Sequence, residues 1–161
     1  MKIEHKFKEH KISNETKILI IGTFNPNISK NKATFFYGRG RNFLWSLLPN
    51  VFGEKSLKGK DDKSKSDFIV IHKIDFVDLI SEIEVEKGQE DNYSDDYIDN
   101  KVTKWKDVIN IITNHPIREV YFTRKTFSKK VMNIKNKIEE IENYCNKNKI
   151  KFVYLYTPAR F

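Results

Sequence analysis

Three short stretches place polar side chains where an apolar strand runs out. In "ILIIGTFNPN" four aliphatic residues give way to Gly22, Thr23 and Phe24, and then to Asn25-Pro26. "YLYTPARF" closes a second apolar run with Thr157-Pro158 and Arg160, and "YFTRKTF" closes a third with Thr123 and Arg124. A side-chain amide orients water, hydroxyls donate hydrogen bonds to developing anions, and guanidinium groups grip phosphate. Between the first two stretches lies "SKNKATFFYGRGRNFLW", with the consecutive rings Phe35, Phe36 and Tyr37 among Lys30, Lys32, Arg39 and Arg41. Three rings in one loop cannot all face a core, so at least one is expected to project. A projecting ring beside cations is the combination that stacks a base while pairing with its phosphate. The competing reading is a hydrophobic plug beneath the loop.

Other chemistry-bearing residues are sparse. The single cysteine, Cys145, excludes an internal disulfide and a multi-cysteine metal site. His5, His10, His72 and His115 have no metal-ligand spacing, so no metal or cofactor is expected. Asp75 and Asp78 in "KIDFVDLI" read as turn caps. Gly38-Arg39-Gly40 lacks the third glycine of a dinucleotide fingerprint.

The elements that must position these groups alternate. Lys17–Ile21 reads as the first strand, apolar from Ile18 onward as in a central parallel strand buried on both faces. In "GRGRNFLWSLLPNVF" the residues Phe43, Leu44, Leu47 and Leu48 fall at helical spacing. Residues 62–72 are read as a helix leading to a strand-like turn, and the acidic "SEIEVEKGQEDNYSDDYID" as an exposed excursion, a solubilising lobe or a site. "WKDVINIITNHP" reads as an amphipathic helix carrying Trp105, Val108, Ile109 and Ile112 on one side. "IREVYFT" is the next strand, a basic helix runs from Phe127 to about Asn148, and "KFVYLYT" is the last strand. The alternation predicts one domain spanning residues 1–161, a three-layer α/β/α sandwich around a central, mostly parallel four-stranded sheet. In a parallel sheet the three polar strand ends share one edge, where ligands bind.

Charge is segregated along the chain. Residues 1–74 carry 15 basic and 7 acidic side chains, residues 75–100 carry 1 and 10, and residues 101–161 carry 14 and 5. Two basic segments flanking an acidic one make a polyanion a reasonable partner. No apolar run approaches the roughly 20 residues of a membrane span, and the N-terminus lacks a signal-peptide core, so a cytoplasmic monomer is expected.

The motif set resembles the uracil-DNA glycosylase superfamily, nearest to its compact mismatch-specific and hypoxanthine-type branches. That family carries an apolar strand, a Gly-x-(Asn or Asp)-Pro turn, an aromatic loop and an Asn-x-x-Trp helix. Here these read "ILIIGTFNPN…FFYGRGRNFLW", with Asn42 and Trp45 in place, and "LYTPARF" stands at the second signature. The resemblance implies a monofunctional DNA glycosylase of base-excision repair. It would hydrolyse the N-glycosidic bond of uracil or hypoxanthine turned out of DNA, with no cofactor. Asn25 would orient water and Thr157 would steady the departing base. Gly22, Thr23, Phe24, Phe35, Phe36, Tyr37, Asn42 and Thr123 would surround the base, with Phe36 or a neighbouring ring stacked on it. Lys32, Arg39, Arg41, Arg124 and Arg160 would hold phosphates. This chain places two residues, not one, between Gly22 and the Asn-Pro pair, so either Asn25 reaches the site through a bulge or Phe24 takes its place. Its second signature begins with threonine. A second reading therefore stands beside the first: a catalytically inactive protein of the same fold that binds nucleic acid or nucleotide. A small-molecule α/β enzyme acting on a nucleoside phosphate is a third.

Overall fold

A computed structural model of the chain describes residues 1–159. Four parallel strands, β2 (Ile18–Gly22), β3 (Ile74–Asp78), β6 (Glu119–Phe122) and β7 (Lys151–Tyr154), form a sheet in the order β3-β2-β6-β7. β2 is central, pairing Ile20 with Phe76 on one side and with Tyr121 on the other. Its uniform apolarity follows from its two buried faces. Leu19 and Ile21 enter one core, and Ile20 enters the other.

The Ile20 core lies under α1 (Leu44–Val51) and α2 (Asp62–His72), and contains Leu44, Trp45, Phe68 and Phe76. Pro49 lies inside α1, where its ring nitrogen cannot donate to the Trp45 carbonyl. Leu57 N–H takes that carbonyl instead, at 2.8 Å, which folds the following loop back onto the helix. The side chain of Asp61 accepts from Ser64 N–H at 2.9 Å and caps α2.

The Leu19 core lies under α4 (Val108–Thr113) and α5 (Met132–Lys147), whose residues Ile134, Ile138, Ile141 and Cys145 make one buried stripe. Asp99 caps α5 from outside, accepting from Asn133 N–H at 3.0 Å and Ile134 N–H at 2.7 Å. The expected three layers are therefore present.

A second sheet stands beside them. β1 (Lys2–Glu4), β4 (Ile80–Glu84) and β5 (Val102–Trp105) pair antiparallel in the order β1-β4-β5. The N-terminal arm is thus a strand, and the acidic stretch is no simple excursion. Its first part is β4, with Ile80 and Ile83 buried, and its later part forms the short α3 (Asp95–Ile98). Trp105 ends a strand and does not belong to the helix that follows. The basic helix begins at Met132, five residues later than its composition suggests, and the last strand ends at Tyr154. Among the described residues no helix is long and apolar enough to cross a membrane.

Candidate functional site

The carboxyl ends of β2, β3 and β6 bring Gly22, Asp78 and Thr123 to one edge of the sheet. Gly22 is required there by close approach. A Cβ at this position would lie 2.3 Å from Asp78 Oδ1 and 2.8 Å from the Tyr37 hydroxyl oxygen. Asp78 is buried, and its Oδ2 meets His5 Nε2 at 2.6 Å. His5 Nδ1 accepts the Phe7 N–H at 3.0 Å, so Nε2 carries the proton and donates it to the carboxylate. Three residues earlier on β3, Asp75 Oδ1 meets His10 Nε2 at 2.6 Å, and Ser13 N–H donates to Asp75 Oδ2 at 3.2 Å. The N-terminal arm thereby supplies partners for two carboxylates that β3 buries.

The same arm lies along the turn after β2. Lys6 N–H donates to the Asn25 carbonyl at 2.8 Å, and Asn27 N–H to the Glu4 carbonyl at 2.9 Å. The Asn25 side chain is buried, and its Oδ1 accepts from Asn31 Nδ2 at 2.5 Å and from Arg39 Nη2 at 3.5 Å. Phe24 packs its ring against the larger core, 5.9 Å from His5. Burial lowers the pKa of the Arg39 guanidinium, against the raising influence of Tyr93 and Asp78, and it lies 4.1 Å over the Tyr93 ring. The Tyr37 phenol is pushed up by burial and by the Asp78 charge, and its hydroxyl lies 3.3 Å from Thr123 Oγ1.

The aromatic triplet does not present a free ring. Phe36 is 4% exposed and packs against Phe7, His10 and Phe76, while Phe35 and Tyr37 are half-buried against the same core. Rings from the distant N-terminal arm and from β3 meet the loop, so all three find cover. The plug reading of this loop is the one the structure adopts.

A cavity of about 1030 Å³ opens at this sheet edge, lined by Thr23, Thr123, Arg124 and Thr157 together with Tyr93 and Asp95 from the acidic stretch. Thr23 Oγ1 donates to Asp95 Oδ2 at 3.3 Å, and Arg124 Nη1 donates to the same oxygen. Burial raises the Asp95 pKa, against the lowering influence of Arg124 and Thr23. Tyr156 stands at the rim, 77% exposed, with Lys125 Nζ 4.6 Å over its ring. Thr157 is exposed and accepts from Ala159 N–H at 3.2 Å. Residues 157–159 dock on the start of α1, where Phe43 N–H donates to the Pro158 carbonyl at 2.9 Å and Asn42 pairs with Ala159. Asn42 itself accepts from Leu44 N–H at 3.0 Å.

Of the residues singled out by sequence, Thr23, Thr123, Arg124 and Thr157 therefore share this cavity. Asn25 and the 35–37 triplet do not line it, and Gly22 lies behind it against Asp78. Lys32 and Arg41 are exposed and make no ion pair among the described residues. Arg160 lies outside the described residues. Tyr93 and Asp95 carry little individual signal among the charges of "GQEDNYSDDYID", where a tyrosine between acidic residues is the one local sign. A second cavity, of about 820 Å³, lies under the N-terminal arm between His5, His10, Trp105 and His115.

This arrangement matches a known architecture. A solution NMR structure from Methanosarcina acetivorans, provisionally named a uracil DNA glycosylase, superposes with a TM-score of 0.61 at 20% identity. The match covers 92% of this chain and 80% of that one. The chain has a uracil-DNA-glycosylase-like fold. No protein-family model and no curated protein matches it. In this fold the polar ends of β2 and β6 meet residues 157 and 159 at one cavity.

Proposed function

We propose that this protein is a monofunctional DNA glycosylase that hydrolyses the N-glycosidic bond of uracil or hypoxanthine flipped out of DNA, acting as a single-domain monomer. The cavity at the carboxyl edge of β2 and β6 carries this reading. Its volume of about 1030 Å³ exceeds what one extruded base fills, and it sits at the edge where open α/β sheets bind ligands. Tyr156, and Tyr93 beneath Arg39, offer ring faces at its border in place of the buried Phe36. Lys125, Lys32 and Arg41 are cations available to the strand that carries the base. Extruding the base costs about a few kcal/mol, least for a mispaired one, and each stacked ring returns about 1–3 kcal/mol.

One observation favours the non-catalytic binder instead. Asn25 Oδ1 is engaged by Asn31 and Arg39, so it has little capacity left to hold an attacking water. Labelled single-stranded and duplex oligonucleotides with one uracil or one hypoxanthine separate the readings. The glycosylase leaves an alkali-labile abasic site at the lesion, whereas the binder gives salt-sensitive binding and no scission. Neither scission nor binding would refute both.

A further inference from the structure

We infer that Asp95 is the catalytic carboxylate, the group that receives a proton from the water attacking C1′. This inference rests on the glycosylase reading above. Asn25, the residue the motif points to, offers an amide, which does not accept a proton at neutral pH, and its oxygen is already bonded. The chain therefore needs a base from elsewhere.

The carboxylates near the strand ends can be compared one by one. Asp78 is held by His5 on Oδ2, has Oδ1 against Gly22, and does not line the large cavity. Asp91 is paired with Lys30, and Asp96 accepts from Ser128 Oγ at 3.1 Å. Asp95 alone joins two strand ends, accepting from Thr23 after β2 and from Arg124 after β6. Both donors use Oδ2, and Oδ1 accepts no hydrogen bond among the described residues. The side chain keeps 21% exposure on the cavity. One oxygen is thus anchored from two directions while its twin remains open, which is how a base is held in a single reactive orientation. Burial then makes the carboxylate a better proton acceptor than an exposed one, against the lowering influence of Arg124 and Thr23.

The step balances without a cofactor. The water oxygen bonds to C1′ while the C1′–N bond breaks, and the electron pair of that bond leaves on the base nitrogen. The water's proton passes to Asp95 Oδ1 and from there to the departing base or to solvent.

The test is the single-turnover release of base from uracil- and hypoxanthine-containing oligonucleotides across pH, for wild type, Asp95→Asn and Arg124→Gln. General-base catalysis is worth about 10²–10⁴-fold, so Asp95→Asn is expected to slow release at least about 100-fold, with DNA affinity changed by less than about twofold. The wild-type rate should fall on the acid side as Asp95 protonates, and that limb should vanish in Asp95→Asn. Arg124→Gln removes a charge that lowers the Asp95 pKa, so its acid limb should move to higher pH. A merely structural Asp95 would move neither limb. Release by Asp95→Asn within about threefold of wild type, or an acid limb unchanged in Arg124→Gln, overturns the inference. The Arg124→Gln profile decides alone if Asp95→Asn does not fold. Wild-type protein that releases no base from either oligonucleotide removes the glycosylase reading and the Asp95 role with it. Active wild type with an unaffected Asp95→Asn removes the Asp95 role only.

Discussion

Replacing Gly22 by alanine should damage the sheet edge through one contact that can be followed atom by atom. The new methyl would lie 2.3 Å from Asp78 Oδ1 and 2.8 Å from the Tyr37 hydroxyl oxygen. Ordinary van der Waals contact begins near 3.4 Å, so Oδ1 must retreat by about 1 Å. It has little freedom to do so. The Asp78 side chain is 8% exposed, and its other oxygen is held 2.6 Å from His5. Giving up a hydrogen bond to a buried charge costs about 1.5–3 kcal/mol. The lower entropy of an unfolded alanine offsets about 0.4–1 kcal/mol. A net loss of about 1.5 kcal/mol follows, equivalent to a fall in Tm of about 3–6 °C for a chain of this size. Urea and thermal unfolding of Gly22→Ala, Asp78→Ser and the double variant measure both the loss and its origin. Serine at 78 removes the closer of the two contacts and leaves the one with Tyr37, so the two substitutions should be coupled by at least about 1 kcal/mol. A Gly22→Ala protein within about 0.5 kcal/mol of wild type, the spread within which independent substitutions add, or an equal penalty in both backgrounds, would refute the close-approach argument.

Three further outcomes are expected. Asp99→Ala leaves the buried N–H groups at the start of α5 without their acceptor, and should lower stability by about 3 kcal/mol in urea unfolding. Burial pushes the Cys145 thiol up to about 11, so native protein at pH 8 should resist a thiol-specific disulfide reagent, and unfolded protein should react with one equivalent per chain. Hydrogen bonds from Lys101 and Tyr97 hold the Glu86 carboxyl down to about 2, against an ordinary 4.5. A depressed carboxylate favours the fold above its ordinary pKa, and this contribution is lost as the pH falls from there toward the folded value. An NMR titration of Glu86 should therefore show a midpoint well below 4.5, returning toward it in Lys101→Met.

The parallel sheet was legible because its signals are local. A run such as "ILIIG" has no polar side chain for either face, which marks a strand covered on both, and Gly22 followed shortly by Pro26 ends it. The antiparallel sheet was not, because its strands are three to five residues long and pair across the whole first two thirds of the chain. No tight hairpin turn announces them. The aromatic triplet failed for a related reason. Residue type shows that Phe35, Phe36 and Tyr37 are apolar, but only the arrival of Phe7 and Phe76 decides that they face inward. The N-terminal histidines form no local pattern with their acidic partners, which lie 65 and 73 positions away. Thr23, Thr123, Arg124 and Thr157 could be grouped by the rule that parallel strands end on one side, and the cavity does group them. Asp95 reaches that place through a tertiary path that no periodicity records.

Only Leu79 separates the last residue of β3 from the first of β4, and its N–H donates to the Gly22 carbonyl while Ile80 N–H donates to Thr23. The two sheets are consequently one continuous ribbon at this seam, with no slack for them to hinge apart. Adding a single residue there would turn every following side chain of β4 to the opposite face, expelling Ile83 from the core and pulling β1 out of register. A tug on the N-terminal arm would likewise be felt at the end of β2 within a few bonds, so tags and linkers are better grafted elsewhere.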